Sequence, residues 1–236
     1  MKAMLFAAGL GTRLKPFTDH HPKALATVND KTLLQLNIEY LQRHGIRDVV
    51  VNVHHFADQI ENILSQNHGF GSNVTISDER DSVLETGGGL LKAAPYFENE
   101  ESFVVMNVDV LTTLNLHHLI AAHQPNSLAT LAVMQRASSR QLLFEKDKTL
   151  CGWKNNQTGE IKMALPSESF TPFAFSGIQI ISSKIFKAIP FEGKFSVIEV
   201  YLFLAKQKLV KGFDHTGDIF IDVGKPESLQ RASNLF

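Results

Sequence analysis

In the first part of the chain, continuous apolar stretches alternate with stretches in which an apolar residue recurs every three or four positions. The run from Ala3 to Ala8 and the stretch from Asp48 to Val53 are typical of buried strands. Between them, Leu34, Ile38 and Leu41 fall at i, i+4 and i+7, which predicts the buried face of a helix. This alternation predicts an α/β fold in which helices cover both faces of a mainly parallel sheet.

The same pattern continues towards the C-terminus. A second helix is marked by Phe56, Ile60 and Ile63, and later helices are predicted at the capping box Ser196 to Glu199 and from Pro226. The remaining strands are predicted at 73–77, 103–106, 128–134, 141–145, 173–181, 210–213 and 219–221. A length of 236 residues allows one or two domains, and because single α/β domains of this size are ordinary, we expect one domain over residues 1–236.

One stretch interrupts the pattern. Residues from Asp147 to Glu168 are mostly polar and are broken by Gly152, Gly159 and Pro166. We expect a small β-ribbon inserted here, over the mouth of the ligand site that the following residues predict. Whether it moves as a lid is left open.

The first strand ends in two glycines one residue apart, Gly9 and Gly11. A bare backbone can approach a ligand closely, and such turns bind phosphate. A Rossmann dinucleotide fingerprint would need a third glycine where Leu14 stands, and no Walker sequence follows. Instead Arg13 and Lys23 follow, and long cationic side chains beside bare N–H groups favour a nucleoside-triphosphate site.

This stretch resembles the signature of the sugar-1-phosphate nucleotidyltransferases, which join a nucleoside triphosphate to a sugar phosphate and release pyrophosphate. The matching positions are Gly9-x-Gly11-Thr12-Arg13-x-x-Pro16-x-Thr18, Pro22-Lys23, Glu85-Thr86-Gly87-Gly88-Gly89, Asn107-Val108-Asp109, Phe175-Ser176-Gly177 and Ile221-Asp222-Val223-Gly224. Within the family, the short length and triple glycine most resemble the N-acetylmuramate-1-phosphate uridylyltransferases of cell-wall (peptidoglycan) recycling. The short mannose-1-phosphate guanylyltransferases are the alternative.

The resemblance implies a Rossmann-like nucleotide-diphospho-sugar transferase fold, with a nucleotide-binding part at about 1–110 and a sugar-phosphate-binding part at about 111–236. It implies catalytic roles for Arg13 and Lys23. The residues expected to bind the nucleotide are Ala7, Ala8, Gly9, Gly11, Thr12, Arg13, Lys23, Glu85, Gly87 and Gly88. Those expected to bind the sugar phosphate are Asn107, Ser176, Gly177 and Glu199, although the spacing of Glu199 also favours a helix cap.

Two aspartates are expected to hold the cofactor, Mg²⁺. Asp109 and Asp222 each stand at or just after the carboxyl end of a predicted strand, and Mg²⁺ is usually held by one or two carboxylates together with phosphates and water. A strand-terminal aspartate before a helix is often only an N-cap, but Asn115 is better placed to cap the helix after Asp109. The resemblance favours the metal role for both.

The glycines at 87–89 lie at or near the start of a predicted helix, where a bare backbone could lie flat against a planar base. A flexible turn is the simpler alternative. The resemblance favours UTP as the nucleotide, so a side chain at Gly88 is expected to obstruct the base.

Charge and composition argue against several classes of binding partner. A net charge of −1 gives no basic field for nucleic acid, and no segment approaches the roughly 20 apolar residues of a membrane helix. The single cysteine, Cys151, cannot form an internal disulfide, so we expect a cytoplasmic enzyme of undetermined oligomeric state. The adjacent histidine pairs, such as His54 and His55, disfavour a zinc site.

Two rival functions remain open. A non-catalytic nucleotide or sugar-phosphate sensor could keep this fold, but it would not need Arg13, Lys23, Asp109 and Asp222 together. A cytidylyltransferase for a phosphorylated alcohol such as phosphocholine would need a cage for the quaternary amine, and the Phe-rich stretch at 170–175 is the place to look for one.

Overall fold

The computed structural model describes every residue from Met1 to Phe236. Its strands are Ala3–Phe6 (β1), Thr27–Val28 (β2), Lys31–Thr32 (β3), Asp48–Val53 (β4), Asn73–Asp78 (β5), Ser102–Asn107 (β6), Val110–Thr112 (β7), Ala129–Met134 (β8), Arg140–Phe144 (β9), Leu150–Asn155 (β10), Ile161–Met163 (β11), Thr171–Ser182 (β12), Val210–Asp214 (β13) and Phe220–Asp222 (β14). The helices are Leu33–Arg43 (α1), Ala57–Gln66 (α2), Glu85–Lys92 (α3), Leu116–Ala121 (α4), Val197–Ala205 (α5) and Pro226–Ser233 (α6). None of these helices has the length and apolar character of a bilayer-spanning segment.

Ten strands form the main sheet, whose longest path runs β11-β10-β9-β12-β6-β1-β4-β5. The neighbours β6, β1, β4 and β5 are all parallel. β12 pairs antiparallel with both β6 and β8, so β8 runs in the same direction as β6. The prediction of a mixed α/β fold around a mainly parallel sheet is confirmed.

The sheet is buried on both faces. Along β1, Ala3 and Leu5 belong to one hydrophobic cluster with residues of α1, α2 and α4. Met4 and Phe6 point into a second cluster with residues of α3 and α5. Because successive side chains of a strand alternate between faces, a strand covered on both sides is apolar throughout, which explains the unbroken run that predicted β1.

The second predicted helix is shifted by one residue. α2 begins at Ala57, because Phe56 has a left-handed backbone with φ 56° and precedes the first turn. The fully buried face is formed by Ala57, Ile60 and Leu64, whereas Ile63 is only partly buried. Apolar spacing identified the helix but not which residues face the core.

The predicted ribbon exists as the antiparallel pair β10–β11, which continues from β9. Its first strand is buried at Leu150 and Cys151, while every residue of β11 is exposed. Trp153 packs against the cluster on the α3 and α5 face, so it fastens the ribbon to the body of the domain. No ribbon residue lines the main cavity described below.

A second small sheet brings two distant parts of the chain together. β7 and β14 pair antiparallel, with Val110 opposite Asp222. The amide of Val223 also donates to the carbonyl oxygen of Asp109 at 2.7 Å. The two predicted metal ligands are therefore side by side, although they lie far apart in sequence.

Candidate functional site

A cavity of about 530 Å³ opens at the sheet edge where β1, β4 and β6 end. Its volume lies within the roughly 300–1,000 Å³ of small-molecule sites, and ligands of open α/β sheets bind at this edge. The sequence-predicted residues that line it are Ala7, Ala8, Gly9, Gly11, Thr12, Arg13, Lys23, Glu85, Asn107 and Asp109. The glycine turn, both predicted catalytic cations and one of the two predicted metal ligands thus meet in a single cavity.

The glycine turn closes on itself at Gly11, which has a left-handed φ of 62°. Its carbonyl oxygen accepts from the amide of Leu14 at 2.8 Å and from the hydroxyl of Thr18 at 3.0 Å. A Cβ at Gly11 would lie 2.9 Å from Thr18 and 3.0 Å from Lys23. Leu14 is 1% exposed and fills the core where a dinucleotide fingerprint would have its third glycine. The turn therefore requires glycine at position 11 and places Arg13 at the cavity.

Lys23 and Asp109 form an ion pair that is largely shielded from water. Their side chains are 11% and 16% exposed, and the Lys23 ammonium donates to Oδ2 of Asp109. Charges held out of bulk water interact more strongly than surface charges, and removing one leaves the other uncompensated. The pair places a cation and an anion together beside the glycine turn.

Asp222 and Arg13 face each other at the rim of the cavity. The distance between Arg13 Nη2 and Asp222 Oδ2 is 3.9 Å, and both side chains are about half exposed, so the attraction contributes little to stability. Gly224 lies beneath them, where a Cβ would lie 2.6 Å from Asp222 Oδ1 and 2.7 Å from Arg13 Nη2. The close approach of Asp222 and Arg13 thus depends on glycine at position 224.

The two aspartates fit a magnesium ion by their chemistry. They supply carboxylate oxygens from adjacent chain segments, and no cluster of three or more His, Cys, Asp or Glu side chains forms a closed metal cage in this structure. Mg²⁺ commonly takes one or two carboxylates and completes its shell with phosphates and water. An open pair of carboxylates beside the glycine turn matches that preference.

Asn52 and Glu79 are site residues that the sequence analysis missed. Asn52 Oδ1 accepts from the amides of Ala7 and Ala8 at 2.7 and 3.3 Å, and its Nδ2 donates to Glu79 Oε1 at 2.7 Å. Burial raises the pKa of Glu79, while the hydrogen bond from Asn52 opposes the shift. The amides of Ala7 and Ala8 are consequently occupied by protein. For Asn52, the available signal was a polar residue between two valines of β4.

The triple glycine is packed against protein. A Cβ at Gly87 would lie 2.3 Å from the Phe195 ring, and one at Gly88 would lie 2.2 Å from the Gly193 carbonyl oxygen. The Gly87 amide donates to the carbonyl of Phe195 at 2.9 Å. Neither glycine lines the cavity, whereas Glu85 and Thr86 do. α3 therefore needs these glycines to pack against residues 193–195, which gives Gly88 a structural reason to be glycine that does not involve the base.

A Gly88→Ala variant is expected to lose about 1–3 kcal/mol of unfolding free energy, because its methyl group would overlap the Gly193 carbonyl. Urea denaturation followed by circular dichroism measures this loss. We expect the Michaelis constant for the nucleotide to change little in the folded protein. Wild-type stability combined with a raised Michaelis constant would restore the base-facing role.

The four residues predicted for the sugar phosphate divide into two groups. Asn107 lines the cavity, and Gly177 supports it, since a Cβ there would lie 2.6 Å from Asn107 Nδ2. The Ser176 hydroxyl instead pairs with His215 Nε2 at 2.7 Å within the protein. Glu199 accepts from the Ser196 amide at 2.9 Å and completes the predicted capping box. Ser176 and Glu199 are thus already engaged with protein groups.

Comparison with known proteins places the chain in a family. The sequence model of the nucleotidyl transferase family matches residues 2–142. The N-acetylmuramate alpha-1-phosphate uridylyltransferase of Neisseria meningitidis is 31% identical over 100% of this chain and 98% of its own length. The chain belongs to the nucleotidyl transferase family. The resemblance inferred from the motifs is confirmed, and the protein is an enzyme of the sugar-1-phosphate nucleotidyltransferase class.

Other members of this nucleotidyltransferase family agree over the full length. The enzyme of the same name from Caulobacter vibrioides is 31% identical, with 96% of this chain and 93% of that enzyme aligned. The crystal structure of HddC from Yersinia pseudotuberculosis complexed with GMP-PN superposes with a TM-score of 0.78 at 25% identity. That superposition covers 100% of this chain and 99% of HddC, which confirms the predicted fold.

Proposed function

We propose that this nucleotidyltransferase transfers a uridylyl group from UTP to N-acetylmuramate 1-phosphate in the cytoplasm, in the recycling of cell-wall sugars. The observation that carries the proposal is the meeting of the glycine turn, Arg13 and the Lys23–Asp109 pair at one cavity, with Asp222 beside Arg13 on the strand next to Asp109. Full-length similarity to two enzymes of that name supports the choice of nucleotide and sugar.

In the proposed reaction, a phosphate oxygen of the sugar 1-phosphate attacks the α-phosphorus of the triphosphate. The new O–P bond forms as the bond to the β-phosphate oxygen breaks, and pyrophosphate leaves with that electron pair. Because the nucleophile is already an anion, no general base is required. Catalysis then consists of aligning two polyanions and neutralising their charge.

The chain supplies this alignment from two sides. Gly9, Gly11 and Thr12 hold the triphosphate, and Arg13 at the rim stabilises the leaving pyrophosphate. Lys23 neutralises the α-phosphoryl group or the attacking phosphate. We assign the nucleotide mainly to residues 1–110 and the sugar phosphate mainly to residues 111–236, where Asn107 lies at the boundary and Gly177 supports it.

Asp109 and Asp222 are the residues that would hold Mg²⁺. The ion would supply positive charge that offsets the repulsion between the two anionic substrates. Lys23 and Arg13 are the cations that lie against these carboxylates. Both cations therefore lie next to the carboxylates that would hold the ion, which is where they are proposed to contact the phosphates.

For the base, we assign recognition to the Ala7–Ala8 backbone and to Glu85, which lies at the start of α3. Asn52 holds the amides of Ala7 and Ala8, so their backbone is fixed before a ligand arrives. Gly87 and Gly88 serve this rim by letting α3 pack closely on residues 193–195. A fixed rim lowers the entropic cost of binding a planar base.

The alternative is a guanylyltransferase, such as a mannose-1-phosphate guanylyltransferase, and the HddC structure bound to GMP-PN is the observation that favours it. Pyrophosphate release, measured with four nucleoside triphosphates and a panel of sugar 1-phosphates, separates the two. We expect the highest kcat/KM with UTP and N-acetylmuramate 1-phosphate. A higher value with GTP and another sugar would refute the substrate assignment and leave the reaction class standing.

A further inference from the structure

Arg136 follows strand β8 at the same edge of the sheet as the cavity. β8 and β6 both pair antiparallel with β12, so Arg136 and Asn107 leave the sheet at the same end. Neighbouring strands are about 4.8 Å apart, so two spacings separate β8 from β6 by about 10 Å. Arg136 thus leaves the same end of the sheet as Asn107, to one side of the cavity and outside its lining.

The Arg136 guanidinium is held in place without an anionic partner. It stacks on the Phe220 ring, with 4.6 Å between Cζ and the ring centroid, and Nη2 donates to the Phe175 carbonyl at 3.0 Å. Nη1 reaches the Ala137 carbonyl at 3.5 Å, and Nε is buried with no hydrogen-bond partner. Phe220 lies two residues before Asp222, so this cation is anchored to the strand that carries a predicted metal ligand.

The polar groups around Arg136 do not neutralise it. Ser176 and His215 hydrogen-bond to each other, and His215 Nδ1 faces Asp218 at 3.3 Å. Burial lowers the pKa of Arg136, and the Asp222 carboxylate only partly opposes that effect. The half-buried Arg136 guanidinium therefore has no ion-pair partner, and its positive charge would favour a bound anion.

We propose that Arg136 binds a carboxylate carried by the acceptor sugar. The inference rests on the proposed function, which places the acceptor's phosphate beside Lys23, Asp109 and Asp222. Arg136 lies to the β8 side of these phosphate-contacting residues, so we place it against the substituents of the sugar ring. N-acetylmuramate bears a lactyl carboxylate that N-acetylglucosamine lacks, and a planar guanidinium matches a carboxylate in geometry and charge.

A purely structural role for Arg136 must be separated from this one. β12 changes register between Phe175 and Gln179, and Arg136 binds the carbonyl of Phe175 at that irregularity. Loss of this hydrogen bond would disturb the site for every acceptor. Recognition of a carboxylate would instead affect only the acceptor that carries it.

The test compares two acceptors, N-acetylmuramate 1-phosphate and N-acetylglucosamine 1-phosphate, at saturating UTP and at enzyme concentrations that make the slower acceptor measurable. In Arg136→Met, we expect kcat/KM for the muramate substrate to fall about 10- to 150-fold, the range for a lost hydrogen bond to a charged group. The loss should lie mainly in KM. The value for the glucosamine substrate should stay within about threefold, a range smaller than the loss of one such bond.

Two further variants complete the design. Arg136→Lys keeps the positive charge but loses the planar guanidinium, so part of the preference for the muramate substrate should return. If the methionine variant does not fold, the comparison of the two acceptors is made with the lysine variant. Arg43→Met is the matched control, because Arg43 also lies over an aromatic ring, that of Tyr40, but on helix α1 away from the cavity. It should leave both acceptors unchanged.

The outcomes distinguish the inference from the function on which it rests. If wild type uses the muramate substrate but Arg136→Met loses equally on both acceptors, or on neither, the carboxylate role is overturned and the uridylyltransferase assignment stands. If wild type does not use N-acetylmuramate 1-phosphate at all, the proposed function fails and this inference falls with it.

Discussion

An Asp109→Asn variant is expected to turn over at least roughly a hundredfold more slowly than wild type, the loss seen when one transition-state donor is removed. The substitution keeps an oxygen but removes the charge that pairs with Lys23 and is proposed to hold Mg²⁺. Steady-state rates measured across a magnesium titration check this. We expect the decline to be steepest at limiting Mg²⁺, because the carboxylate contributes most when the ion is scarce.

Asp147→Asn provides a matched control for that variant. Asp147 also pairs with a lysine, Lys211, at 2.9 Å, but it lies outside the cavity. Its loss should leave turnover unchanged. Circular dichroism should show that both variants are folded, and normal turnover of Asp109→Asn at limiting Mg²⁺ would contradict the metal assignment.

A Lys23→Met variant is expected to lower kcat by about a hundredfold, with a smaller change in the Michaelis constant for the nucleotide. Methionine retains an apolar stem in a position that is 11% exposed, so packing is largely kept while the charge is lost. Arg13→Met should instead raise that Michaelis constant and lower kcat together, because Arg13 is proposed to bind the β- and γ-phosphates in both ground and transition states.

Coupling between the two buried partners gives a stricter check. Because Lys23 and Asp109 contact each other, the double variant Lys23→Met/Asp109→Asn should lose less than the product of the single losses. Lys31→Met removes a surface partner of Glu39 and should have no effect on rate. An unchanged kcat in Lys23→Met would remove Lys23 from the reacting centre.

The local sequence pattern was enough to locate individual helices and strands with one or two buried faces. β4 was predicted with its correct bounds, and the capping box at Ser196 lies where the spacing placed it. The helix at Pro226 also begins as predicted. These features depend on residues close together in sequence. Apolar periodicity, capping residues, and the glycines and prolines that end or begin elements were therefore sufficient to predict them. The glycine turn and its cations likewise gave the correct family.

What only the tertiary structure decided is the set of partners for each polar group. Asn52 accepts a hydrogen bond from the Ala7 amide of a different chain segment, and Arg136 stacks on Phe220. The sequence suggested that Gly88 forms a surface for the base, whereas in the structure Gly88 packs against the carbonyl of Gly193. Contacts between residues so far apart in sequence depend on strand order and register, and no local pattern carries that information.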